Sequence, residues 1–145
     1  MSETDNRRMI EEAFDALNAH DPDRYVKSLD DSYVMESDAF PTPVRGREGA
    51  KQVLVMYFKA FPDLHFETEQ IIASSDYVVA RWQASGTHKG EFNGISPTNR
   101  QVSSRGCTVS EIRNGHVVKS SMYSDQLALL RQLGVSVGKA AGAAS

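Results

Sequence analysis

Residues 77–88, YVVARWQASGTH, decide the fold. Val78, Ala80, Trp82, Ala84, Gly86 and His88 fall on one face of an extended chain, and Tyr77, Arg81, Gln83, Ser85 and Thr87 on the other. The first face is the more apolar, so the segment reads as a strand turning that face, with His88 at its end, toward a core or cavity. The same alternation runs through HFETEQIIAS (65–74), QVSSRGCTVSEI (101–112) and HVVKSSMYSD (116–125), predicting a run of long strands. Ser74-Ser75-Asp76 makes the first connection. Arg113-Asn114-Gly115 makes the last, where Asn-Gly signals a hairpin because both residues accept positive φ. KGEFNGISPTNR (89–100), between the middle two strands, reads as a longer loop.

Upstream the period is helical. Met9, Ile10, Ala13, Phe14, Ala16 and Leu17 recur at spacings of three and four opposite Glu11, Glu12, Asp15 and Asn18, which predicts an amphipathic helix over 4–19. Asp21 followed by Pro22 suits an N-cap and first helical position, opening a short second helix through Leu29. SYVMES (32–37) alternates as a short strand, and the prolines and glycines of AFPTPVRGREG (39–49) predict a loop. Val53, Leu54, Tyr57, Phe58 and Phe61 then stripe a third helix over 48–61, stopped by Pro62. After the strands a short helix spans 126–133 and ends at Gly134, leaving 135–145 as a frayed tail. Helices followed by a meander give an α+β domain over 1–134. A curved mixed or antiparallel sheet wraps around three N-terminal helices as a cone-shaped barrel with a pocket.

Composition narrows the function. With 16 basic and 19 acidic residues the formal charge is -3, so no basic footprint for nucleic acid exists. The N-terminal stretch is charged and lacks an apolar signal segment, and no apolar run approaches the roughly 20 residues that span a bilayer, which points to a cytoplasmic protein with no membrane partner. Cys107 is alone and the four histidines are scattered, so neither a disulfide framework nor a metal is expected. No cofactor is expected either.

GREG (46–49), AFPDLHFE (60–67), RW (81–82), GTHKGEFNGISPTNR (86–100), EIRNG (111–115) and DQLALLRQLG (125–134), in that order, resemble the SnoaL-like polyketide cyclases, an ester-cyclase family of the NTF2-like (cystatin-like) superfamily. The resemblance implies a cone-shaped barrel, a mostly apolar cavity for a hydrophobic small-molecule substrate, and a homodimer through the sheet. It also implies cofactor-independent acid/base catalysis of an intramolecular aldol closure on a polyketide-type carbonyl compound. Asp125 matches the family's general acid/base and His88 the histidine that assists it. By position alone Asp125 is equally an N-cap for the last helix, and the two roles are compatible. An aspartate with an ordinary pKa near 3.9 is a weak base for carbon acids, so catalysis would require desolvation in the cone. Strand parity puts Tyr123 and Ser121 on the face of Asp125. These two join Trp82, Met35, Phe58 and Phe92 as candidate substrate contacts. Ser121 stands where the family often carries tryptophan, which reshapes the pocket near the base. Two alternatives share the fold: an accessory hydroxylase component, and a non-catalytic domain that binds a small ligand.

Overall fold

The structure, a computed structural model, describes residues 2–135. Helix α1 (Glu3–Asn18) starts at Ser2, whose Oγ accepts the Asp5 N–H at 3.1 Å. Its apolar stripe, Ile10, Ala13, Ala16 and Leu17, is buried against the sheet. Asp21 caps α2 (Pro22–Val26) by accepting the Arg24 N–H. This helix stops three residues short of the expected Leu29, because Leu29 opens strand β1 (Leu29–Ser37) by pairing with Val117. The consecutive Asp30 and Asp31 hide that strand start from any alternation rule. Within the proline-rich loop a two-residue strand, β2 (Val44–Arg45), pairs with Val34 and Met35, and α3 (Gly46–Ala60) follows at once.

The expected strands β3 (His65–Ala73), β4 (Tyr77–Thr87), β5 (Gln101–Arg113) and β6 (His116–Ser124) form an antiparallel meander. Asn114 and Gly115 take the positive φ values, 51° and 77°, that the tight last turn requires. β1 adds parallel to β6, giving one mixed sheet in the order β2-β1-β6-β5-β4-β3. The sheet is not a closed barrel: β2 and β3 are its edges, and the helices cover its inner face. A last helix, α4 (Gln126–Gln132), runs on from β6 and ends at Gly134, whose φ is 84°. Apart from Val135, the expected tail over 135–145 lies outside the described residues.

Side-chain amides fasten helices to the sheet. Asn18 accepts the Phe66 N–H and donates to the Phe66 carbonyl, at 2.7 and 3.0 Å, as a neighbouring strand would. Gln132 of α4 does the same for Ser103, both bonds at 2.7 Å. Asn6, fully buried, donates to the Ser74 and Ser75 carbonyls and holds the start of α1 at the β3–β4 turn. No helix among the described residues is long and apolar enough to cross a membrane.

Candidate functional site

Between the helices and the inner face of the sheet lies a cavity of about 180 Å3. Its helical wall is mostly apolar, built from residues such as Ile10, Phe14, Leu17, Val53 and Leu54, with the phenols of Tyr25 and Tyr57 among them. Its sheet wall carries hydroxyls: Ser104, Thr108 and Ser110 from β5, Ser120 and Ser124 from β6. Every second residue of each strand points inward, and the register Gly106↔Ser124, Thr108↔Met122 and Ser110↔Ser120 lines these side chains up as rows. Among the described residues, no carboxylate, imidazole, ammonium or guanidinium lines the cavity.

Trp82 forms part of the sheet wall and is pinned on three sides. Its Nε1 donates to Thr108 Oγ1 at 2.9 Å, and Phe66 meets it edge-on with centroids 5.5 Å apart. Beneath it is Gly106: a Cβ there would sit 2.3 Å from Trp82 Cζ2, so only glycine lets the indole lie on the strand. Tyr25, Tyr33 and Tyr57 contribute phenols. Tyr33, only 1% exposed, lines the cavity together with Tyr25 and Ser120. Burial pushes the phenol pKa of all three tyrosines above the ordinary value, so they stay protonated as neutral donors.

The profile of the SnoaL-like polyketide cyclases matches residues 5–133. This chain belongs to that family. IdmH, a candidate polyketide cyclase from Streptomyces antibioticus, is 30% identical with a TM-score of 0.75 over 89% of this chain and 98% of its own. AclR, a candidate hydroxylase from Streptomyces galilaeus, is 28% identical with a TM-score of 0.82 over 92% and 98%. A protein of ketosteroid isomerase-like fold from Catenulispora acidiphila shares 16% identity and a TM-score of 0.74 over 88% and 92%, which shows the fold alone. Curated proteins give no significant match.

In this SnoaL-like chain the expected site residues are spread over distinct surroundings. Trp82 and Met35 line the cavity. Phe92 is buried in a second apolar cluster with Phe61, Val102, Leu129 and Leu133, its ring 5.6 Å from that of Tyr57. Phe58 is turned to His20, on which it stacks at 4.2 Å. The expected inward face of β6 is reversed: Ser120, Met122 and Ser124 line the cavity, while Tyr123 is 61% exposed and Ser121 shares its outward side. Parity identifies which residues share a face but not which face is inner, and KSSMYS is too evenly polar to decide it.

Asp125 is exposed and caps α4, its Oδ1 accepting the Ala128 N–H at 2.9 Å. His88 does end the inner face of β4 and is wholly buried, but it packs on Phe61 outside the cavity lining. Thr98 N–H donates to its Nδ1 at 3.2 Å, which leaves the proton of the neutral ring on Nε2, an atom without a partner among the described residues. Because β4 and β6 both run antiparallel to β5, His88 and Asp125 stand at the same end of the sheet, with the Phe61–Leu129 cluster at that end. The tyrosines and the hydroxyl rows escaped the sequence reading. The signal was present as Ser104, Thr108 and Ser110 alternating on one face of β5.

Proposed function

We propose that the protein is a SnoaL-like cyclase or isomerase that encloses a neutral, hydrophobic, polyketide-type carbonyl compound and moves a proton on it without a cofactor. One observation carries this reading: a mostly apolar cavity whose polar side chains are neutral, chiefly hydroxyls, with serines and a threonine in rows on its sheet wall. Such a surface holds a flat oxygenated ring compound by its faces and hydrogen-bonds its oxygens. Folding the substrate into a reactive conformation then supplies much of the rate, since ring closure is intramolecular.

The family resemblance assigns the proton to Asp125 with help from His88. Asp125 already holds α4, so the test must separate cap from base. Asparagine caps a helix as well as aspartate but cannot take up a proton. Asp125→Asn is therefore expected to keep the melting temperature of the wild type and lose turnover of a polyketide β-ketoester substrate. Retained turnover in that variant rejects the acid/base role. A second reading, a binding or accessory component, is favoured by the lack of any carboxylate, imidazole or cationic side chain among the described residues of the cavity wall and by the likeness to AclR. Turnover that appears only with a partner enzyme would select it.

The dimer belongs to the same proposal. On the outer face of the sheet Ile72, Val79 and Val109 form a row across three strands, with Tyr123 opposite Cys107 and Tyr77 nearby. Ile72, Tyr77 and Tyr123 are 53%, 48% and 61% exposed. That apolar stripe, flanked by Arg81, Arg105 and Glu69, suits a second copy of the chain.

A further inference from the structure

Of the described residues around the cavity, only Ser28, Phe40 and Leu64 lie outside the helices and strands. Ser28 is tied to two elements, its carbonyl accepting the Val117 N–H at 2.8 Å and its hydroxyl donating to the Tyr25 carbonyl at 3.1 Å. Leu64 is tied likewise, donating to the Phe61 carbonyl at 3.0 Å and accepting from His20 Nε2 at 2.7 Å. Phe40 is held differently. Its loop, 38–43, donates two hydrogen bonds, from the Ala39 and Phe40 N–H groups, and both return to Ser37 at the loop's own base. Pro41 and Pro43 have no N–H to give, and among the described residues no hydrogen bond joins 41–43 to the rest of the chain.

What holds Phe40 in the cavity wall is its ring. It lies edge-on to Tyr57 of α3, with centroids 6.5 Å and planes 86° apart, and it belongs to neither hydrophobic cluster of the core. One aromatic contact is a far weaker restraint than the hydrogen-bond ladders behind the neighbouring wall residues, so this segment is the part of the wall that opens first. We propose that residues 38–43 form a flap with Phe40 as its plug: the ring swings off Tyr57 to admit a ligand and returns to close the cavity behind it. The inference rests on the cavity being the ligand site of the function proposed above, and adds the way in and the residue that controls it. The sequence suits a flap that moves as one piece. Each proline fixes its own φ and keeps the residue before it extended, which stiffens 40–43 and leaves the bending to the ends. At the far end lies β2, only two residues long and on the edge of the sheet, so the motion disturbs little pairing.

A thiol inside the cavity reports when the flap opens, without any substrate. Ser120→Cys, or Ser104→Cys if the first does not fold, is treated in the full chain with the small neutral reagent methyl methanethiolsulfonate, and modification is timed by mass spectrometry. Cys107, on the outer face of the sheet opposite Tyr123, is the internal reference. Adding Phe40→Ala is expected to speed the cavity thiol about five- to tenfold, the scale of one lost aromatic pair, while Phe40→Tyr stays within about twofold of the parent. Pro41→Gly with Pro43→Gly keeps the ring but loosens the flap, and is expected to speed the cavity thiol as well. Cys107 should react at one rate throughout, and equal melting temperatures exclude unfolding as the route. If Phe40→Ala does not fold, the proline pair decides. A cavity-thiol rate that neither change moves, or an equal acceleration at Cys107, overturns the proposal. Faster access in a protein that neither binds nor turns over a carbonyl compound would overturn the function reading and keep the flap. Turnover with access unchanged would do the opposite.

Discussion

Trp82 and Gly106 behave as one unit. The indole occupies the space a side chain at 106 would need, and the Thr108 hydroxyl takes its N–H. Gly106→Ala is therefore expected to push the ring off the strand and to cost about 1–3 kcal/mol, the usual penalty of overpacking, as measured by urea denaturation. The buried phenols set a second expectation. Tyr25, Tyr33 and Tyr57 have folded-state pKa values raised by burial, so the stability they contribute is complete below the unfolded value near 10 and is lost as pH rises above it. In a phenolate absorbance titration these three of the five tyrosines should ionise only together with alkaline unfolding. At this scale the sequence was half legible. Trp82 and Met35 were readable as cavity residues, Trp82 because β4 alternates apolar with polar. Tyr123 and Ser121 were not, because no such contrast marks β6. Tyr25 and Tyr33 were invisible as cavity residues, since only the packing of α2 and β1 with the rest of the fold puts them around the same space as Ser120.

Helix α4 is held at both ends by side chains that replace backbone partners. Asp125 takes the Ala128 N–H at its start, and near its end Gln132 pairs with Ser103 in the part of β5 that extends beyond β6. Gln132→Ala should release both Ser103 groups, cost about 1 kcal/mol, and speed hydrogen exchange along α4 more than elsewhere in the chain. Across the sheet Asp63 fastens the turn after α3 to β4, accepting the Thr87 N–H and hydroxyl at 2.7 Å each. Those bonds hold its carboxyl below the ordinary range. The sign is opposite to that of the tyrosines: the stabilisation is present above the unfolded value near 3.9 and disappears as pH falls through the lower folded value. Asp63→Asn should thus flatten the acid limb of the stability profile measured by thermal melts. Periodicity revealed nearly every element here, but not these fastenings, because Asn18 and Gln132 read as ordinary surface positions in helical sequences. It also missed the first residues of β1, whose aspartates resemble a loop.

The whole molecule has two unlike sheet faces. The inner one is hydroxyl-lined and enclosed, the outer one apolar along its middle and charged at its margins. For the proposed dimer, Ile72→Glu combined with Tyr123→Glu places charges in the centre of the outer stripe. Sedimentation velocity is expected to show a dimer for the wild type and a monomer for this variant. A wild-type monomer would remove the dimer from the proposal. Fold class was legible at this scale because the switch from helical to alternating period is abrupt after Pro62. The open edges of the sheet were not, since closure depends on how far it curves.

Trp82 is the only tryptophan in the chain, and it stands in the cavity wall. All indole emission from this protein therefore originates at the site. Quenching or a spectral shift on adding a compound reports occupancy directly, with no label and no assay of turnover. The molecule carries its own optical probe, so a collection of neutral ring compounds can be ranked by fluorescence before any reaction is known.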